Sequence, residues 1–271
     1  MNSIFSIYNF IATMNFDPVA INLGPIKITW YALSYILGLL FSWRYALYLG
    51  KSKYSVNSEV IDSFFNNAIL GVIIGGRLGY VALYNFDYYS ENLIEILYVW
   101  QGGMSFHGGL VGVIIAQILT SIKYKIKFFI LTDISSLTVP FGFMLGRIAN
   151  FINGELYGRI TEHPIGIVFP KGGEIPRHPS QLYEAFFEGL ILFLFLNLLF
   201  YFTKIKAKAG CITGIFIFLY GLFRFLIEFF REPDPQLGVI LLDLTLGQVL
   251  CSVMIITGLL TLLISSINPK A

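Results

Sequence analysis

Seven stretches of about 20 predominantly apolar residues, each long enough to cross a bilayer as an α-helix, follow one another along this chain of 271 residues. They cover 28–49, 60–84, 104–122, 128–149, 181–202, 211–230 and 241–264 and are joined by short connections. Only helices or closed barrels satisfy backbone polar groups in hydrocarbon, and these segments are read as helices. The composition agrees: 56% of residues are hydrophobic, 13% are charged and the mean hydropathy is +0.74, against about a quarter charged in a soluble protein. The expected fold is an all-α polytopic membrane protein with seven transmembrane helices, a single membrane domain over 1–271. A net charge of +2, carried by scattered residues, excludes nucleic acid as the partner.

Two connections differ from the rest. Residues 87–103 are too short and too polar to cross; Ile94, Leu97, Tyr98 and Trp100 predict an interfacial helix, an arm on the membrane surface. Residues 150–180 form the longest polar connection and hold His163 and His178, a small extracytoplasmic cap. Nine lysines (51, 53, 123, 125, 127, 204, 206, 208 and 270) follow spans one, three, five and seven, so they share one side. The positive-inside bias makes that side cytoplasmic and places the amino terminus, arm and cap outside. Residues 1–26 lack a basic start, an apolar core and a small-residue cleavage site, so the first span is expected to be retained as an anchor.

Arginines behave differently from lysines. Arg77, Arg147, Arg159, Arg177, Arg224 and Arg231 fall in the outer halves of spans or outside them. Intramembrane charge is expensive and faces cavities or partners, and a planar guanidinium matches phosphate oxygens better than an ammonium does. A phosphate-bearing lipid is therefore a natural ligand; the alternative is that the arginines neutralise Glu184, Glu188 and Glu228 on neighbouring helices. In span six Tyr220, Arg224, Glu228 and Arg231 recur at intervals of four, four and three, which puts them on one face. An internal Arg224–Glu228 pair would account for only part of that face.

Span four runs out through a segment from Gly146 to Arg159 that holds Arg147, Asn150, Asn153, Gly154 and Glu155. Arginine suits phosphate oxygens and the asparagine amides suit ester or hydroxyl oxygens, a set fitted to a glycerophosphate headgroup. The alternative is a glycine-rich helix cap. His107, between glycine pairs at the start of span three, is the candidate base, since histidine titrates near neutrality; a lone histidine also serves structurally. His178 precedes a proline-started helix and is expected to cap or support it. Gly71, Gly75 and Gly79 form a small-residue pattern for close helix packing, with Arg77 beside it. Trp30 and Tyr31 suit an interfacial aromatic belt. Cys211 and Cys251 lie in apolar stretches without metal or redox spacing and read as packing residues. Three separated histidines form no ligand-spaced cluster, so no metal or cofactor is expected.

Gly75–Tyr80, Gly103–Gly109, Gly146–Arg159, Arg177–Glu184, Tyr220–Arg224 and Glu228–Asp234, taken in order, resemble the motifs of the prolipoprotein diacylglyceryl transferase family over nearly the whole chain. Tyr157 stands where the family more often has tryptophan, and Ala149 where it often has glycine. The resemblance implies seven spans, an outward amino terminus and an outer-leaflet site in the bacterial inner membrane. It implies that the lipobox cysteine thiol of a prolipoprotein attacks the phosphate-bearing glycerol carbon of phosphatidylglycerol, forming a thioether and releasing glycerol phosphate. By position, Arg147 and Arg224 would hold the phosphate; Asn150, Asn153, Gly154 and Glu155 would shape the headgroup site; Tyr31 and Tyr220 would line it, with Glu228, Arg231 and His178 around it. His107 would activate the thiol, although the family mechanism leaves the proton acceptor open.

Other functions fit less well. A secondary transporter would also carry buried charge on glycine-interrupted helices, but the chain shows no internal repeat. An intramembrane serine protease could draw on Ser105 or Ser180, yet no Gly-x-Ser-x-Gly elbow is present. A retinal-type receptor would need a lysine in span seven.

Overall fold

The computed structural model describes residues 16–205, 208–232, 239–241 and 244–267. Residues 1–15 of the leader reading, Lys206 and Lys270 of the lysine set, and Pro233 and Asp234 of the last motif lie outside the described residues.

A hairpin of β1 (Val19–Leu23) and β2 (Ile26–Thr29) leads into α1 (Trp30–Leu49), which continues as a π-helical turn to Tyr54. There follow α2 (Ser58–Tyr84), α3 (Phe86–Glu91), α4 (Phe106–Tyr124) and α5 (Phe128–Ile152). Next come α6 (Ser180–Phe202), with a π-helical stretch at Ala185–Ile191, and α7 (Cys211–Ile227). Last are a hairpin of β3 (Val239–Leu241) with β4 (Leu244–Thr245) and α8 (Leu246–Ile267). Among the described residues six helices are long and apolar enough to span a membrane, and α7 has 17 residues. Their flanks expose rows of large apolar side chains, such as Leu70, Ile74 and Leu78 on α2 and Val253, Ile256 and Leu260 on α8. Water would not tolerate such continuous apolar area; lipid does. The protein is helical and multi-pass.

Three sequence expectations are corrected. The last helix starts at Leu246, not 241, because Thr245 and Gln248 form a capping box: Gln248 N–H donates to Thr245 Oγ1 at 3.2 Å and Thr245 N–H to Gln248 Oε1 at 3.1 Å. The preceding residues pair as β3–β4 instead. Span six ends as α7 at Ile227, with residues 228–230 in turns instead of helix. The arm is not one helix but α3 followed by two 3-10 turns, Leu93–Leu97 and Val99–Gln101, which leave Leu93, Ile94, Leu97 and Trp100 exposed.

The chain divides into two compact units, residues 43–134 and residues 1–42 with 135–271. In the first, α2 and α4 meet along facing glycines. A Cβ on Gly71 would stand 2.5 Å from the Gly112 carbonyl oxygen, so any side chain there forces the helices apart. Asn67 Nδ2 donates to Thr120 Oγ1 across the same seam at 3.3 Å. Arg77, nearly fully buried, explains the broken arm. Its guanidinium donates to the carbonyls of Glu95 (2.6 Å), Ile96 (2.9 Å), Gly102 (2.6 Å) and Gly103 (3.3 Å) and lies over the Tyr89 ring. Carbonyls turned inward to a guanidinium do not continue a helical ladder.

In the other unit, Gly38 on α1 approaches Gly142 on α5, and the Phe41 ring packs tilted against Phe141 with centroids 4.0 Å apart. Residues 153–179 make no long helix. Isolated antiparallel bridges tie Gly158 to Arg231, and Ile160 and Ile167 to Arg177. The first holds the segment against the residues that follow α7, and the other two fold it on itself.

Candidate active site

Three helix ends of the unit 1–42 with 135–271 converge on one carboxylate. The last turns of α5 supply Arg147 and Asn150; the first turns of α6 supply Gln181 and Glu184, and its π-helical stretch Glu188. The end of α7 carries Tyr220 and Arg224, and Glu228 and Arg231 follow. Glu184 is 0% exposed. Its Oε1 accepts from Arg224 at 2.6 Å and from Arg231 at 2.9 Å, and its Oε2 lies 3.2 Å from Arg147 Nη1. Arg224 also reaches Glu228 Oε2 at 2.9 Å through its second nitrogen. Glu228 Oε1 in turn accepts from Thr245 Oγ1 at 3.1 Å, so the capped start of α8 joins the network.

The pairing alternative weighed from the sequence is thus realised for Arg147, Arg224 and Arg231. It is not the whole of their capacity, because a guanidinium has five N–H donors and Glu184 engages a single nitrogen of each. The three arginine side chains keep 16–22% exposure while the carboxylate beneath them has none. A buried anion that orients several partly open cations leaves their remaining N–H donors fixed in place.

The remaining outer arginines do other work. Arg77 holds the arm, Arg159 Nε donates to the Arg231 carbonyl at 2.9 Å, and Arg177 donates to the carbonyls of Gly172 and Gly158 and to Glu232. The six outer arginines therefore divide into three that meet on Glu184 and three that donate to backbone carbonyls.

Beside the cluster, Glu155 is presented between two left-handed residues, Gly154 (φ 61°) and Leu156 (φ 57°). The second is uncommon for a non-glycine residue and marks a tight, constrained turn. Asn150 and Asn153 both donate their side-chain amides to Glu155 Oε1, at 2.9 and 3.2 Å. They orient this carboxylate, whereas the sequence reading directed those amides to a ligand. Gln181 Nε2 donates to the Glu155 carbonyl at 2.6 Å and Ser180 Oγ to that of Leu156 at 3.0 Å, fixing the turn to the start of α6. Tyr31, exposed on α1 and bonded to the Tyr35 hydroxyl at 3.1 Å, lies within electrostatic reach of Glu155 and Arg147. Tyr220 packs between Phe143 and Phe216.

His178 does not cap α6. Its Nδ1 pairs with the Tyr183 hydroxyl at 3.0 Å and its ring packs edge-on to Phe230, while its backbone receives Gly158 N–H. Burial, then repulsion from His163, lowers its pKa below the usual histidine value. His107 belongs to the unit 43–134, in the first turn of α4 after the Ser105 cap. It is exposed and lines an apolar groove of about 660 Å³ between α2 and α4.

Glu184 and Glu188 are the residues that sequence reasoning left out of the site. Two carboxylates four residues apart in the hydrocarbon-length α6 demand cations, and that spacing was the available signal.

Helices of membrane-spanning length around a buried arginine–carboxylate cluster define a multi-pass membrane protein with a polar site among its helix ends. Comparison with known proteins makes this specific. The family model described as prolipoprotein diacylglyceryl transferase matches residues 18–264. A curated relative from Rickettsia akari (strain Hartford), phosphatidylglycerol–prolipoprotein diacylglyceryl transferase, is 51% identical over 257 residues, 94% of this chain and 98% of its own. Relatives of the same name from Rickettsia rickettsii (strain Sheila Smith) and Rickettsia canadensis (strain McKiel) are each 52% identical, over 94% and 90% of this chain and 98% and 95% of their own. The chain belongs to the prolipoprotein diacylglyceryl transferase family.

Proposed function

We propose that the protein transfers the diacylglyceryl group of phosphatidylglycerol to the lipobox cysteine of a prolipoprotein, an early step of bacterial lipoprotein maturation. The observation that carries this reading is the convergence of Arg147, Arg224 and Arg231 on the buried Glu184. The thiol sulfur attacks the glycerol carbon bearing phosphate; a C–S bond forms, the C–O bond breaks, and its electron pair goes to the departing phosphate. That monoester carries one more negative charge than the diester, and guanidiniums already fixed in place stabilise it as it develops. Arg147 and Arg224 hold the phosphate with Arg231 beside them. Glu155, oriented by Asn150 and Asn153, and the turn at Gly154 shape the headgroup side. Tyr31 and Tyr220 line the site. Glu228 steadies Arg224, and His178 braces the segment next to it. The thiol proton passes to a base, for which His107 is the candidate.

The finer topology belongs to the same reading. Seven spans include α7, whose 17 residues rise about 26 Å, a little short of the ~30 Å hydrocarbon core, and the turn to Phe230 makes up the difference. Nine lysines place the ends of spans one, three, five and seven in the cytoplasm, with Lys27 and Lys171 the exceptions. The amino terminus, the arm at 87–103 and the cap at 150–180 then face outward in a single membrane domain, and the carboxyl terminus faces the cytoplasm. The partners are phosphatidylglycerol and a prolipoprotein signal peptide, with no nucleic acid. The test is incubation of purified protein with phosphatidylglycerol and a lipobox peptide. A mass gain of one diacylglyceryl group on cysteine is expected; an unmodified peptide, with the protein folded and lipid present, overturns the reading.

A further inference from the structure

Glu188 stands apart from every other charge in the cluster. It is 1% exposed, yet neither carboxyl oxygen has a hydrogen-bond partner among the described residues. Glu184 is held by three arginines, and Glu228 by Arg224 and Thr245. The position is rigidly set. Gly189 lies so close to α5 that a Cβ there would be 2.7 Å from Met144 Cα, and the backbone is π-helical, a distortion frequent at functional sites. The groups acting on Glu188 come from every neighbouring element: Glu184 one turn earlier on α6, Arg147 on α5, Tyr220 and Arg224 on α7, Arg231 beyond it, and Cys251 on α8.

With all three carboxylates ionised, Glu184, Glu188 and Glu228 cancel the three guanidiniums. A phosphodiester monoanion entering beside Arg147 and Arg224 then leaves the buried cluster with one uncompensated negative charge, which a low-dielectric site opposes. Of the three carboxylates, only Glu188 can accept a proton without giving up an arginine. We propose that Glu188 is the proton-accepting counter-charge of the arginine site: it takes up a proton as the phosphate of the lipid binds and holds it while the leaving phosphate gains its second charge. Glu188 is thereby a positioning residue, acting through the arginines. This inference rests on the phosphate-holding role given to them above.

Linkage makes the idea measurable. The phosphodiester has no proton to exchange near neutrality, so protons taken up on binding go to the protein. Calorimetric titration of the detergent-solubilised protein with short-chain phosphatidylglycerol at pH 8, in two buffers of different ionisation enthalpy, gives the number of protons bound. The wild type is expected to take up between half a proton and one, and its affinity to fall by up to tenfold per pH unit on the alkaline side. Glu188→Gln keeps the shape of the protonated carboxyl; it is expected to bind about two- to tenfold more tightly than wild type at pH 8, with no proton uptake and a flat pH profile. Glu188→Asp keeps the titrating group and should keep the uptake, so it serves if the glutamine variant fails to fold. His107→Gln and His178→Gln should leave the uptake unchanged. Binding without uptake in the wild type, undiminished uptake in Glu188→Gln, or loss of uptake in a histidine variant overturns the proposal. None of those results bears on whether the wild type transfers lipid to the peptide, whereas a wild type that neither binds phosphatidylglycerol nor lipidates the peptide refutes the proposed function itself.

Discussion

Replacing Glu184 with glutamine removes one charge and almost no volume from the centre of the site. Three guanidinium nitrogens lie 2.6, 2.9 and 3.2 Å from its oxygens, and the carboxylate has no exposure. Arg224 would keep Glu228, while Arg147 and Arg231 would lose the carboxylate that holds them. Removing one partner of a buried pair costs about 3–5 kcal/mol. Because the arginines are roughly one-fifth exposed, the low end applies, about 3 kcal/mol. At ~2–4 °C per kcal/mol for a chain of this size, the thermal midpoint should fall by about 6–12 °C. The two buried free thiols, Cys211 and Cys251, give the assay: a thiol-reactive dye reports their exposure as detergent-solubilised protein is heated. Transfer to a lipobox peptide should fall in parallel by about a hundredfold, since a displacement near 1 Å of a positioning group costs that much. A midpoint within about 2 °C of wild type together with an intact rate would refute the view that Glu184 sets the arginines.

Arg224→Lys keeps the charge but cannot span Glu184 and Glu228 with two nitrogens, as Arg224 does; its initial rate of peptide lipidation at matched protein level should fall about a hundredfold, and a near-wild-type rate would remove Arg224 from the phosphate site. The Cys211→Ser, Cys251→Ser double variant should retain transfer, because the nucleophile comes from the substrate; loss of transfer in folded protein would point to a covalent enzyme intermediate. In that background Glu174→Cys should react with an impermeant thiol probe in intact cells and Lys123→Cys should not; the reverse pattern would invert the topology. His178 has a lowered pKa, so the unfolded chain binds its proton first: its contribution is present above pH ~6.5 and is lost as pH falls from there through its lower folded value. The thermal midpoint should therefore drop more between pH 8 and pH 5 in wild type than in His178→Gln, and equal drops would exclude this histidine as the cause.

The helices were legible because hydrocarbon leaves the backbone so few choices, and boundaries went wrong where a side chain intervened locally. Thr245 and Gln248 are four-residue information, a capping box open to any reader of the sequence, yet the apolar run from 241 through them outweighed it. The arm was a different failure. Its apolar residues do have the makings of an interfacial helix, but the element that breaks it is Arg77, from about 20 residues earlier in the chain. No local pattern contains that information.

The site shows the same division between residue type and partner. Arginine over lysine, and its clustering toward one end of the spans, was readable and pointed to Arg147, Arg224 and Arg231, which the structure brings together on Glu184. Which arginines would meet a carboxylate and which a carbonyl was not readable, since both satisfy a buried guanidinium equally well by composition. Glu184 decides the matter by position alone: it begins α6 where α5 and α7 end, and α6 is fixed there by Ser180 and Gln181 bonding to the turn around Glu155. The motif Arg177–Glu184 therefore does more than supply a histidine and a helix start. It carries the carboxylate to the one depth at which three arginines from separate segments can share it. The next acidic residue on the helix, Glu188, then falls one turn deeper without a donor of its own among the described residues.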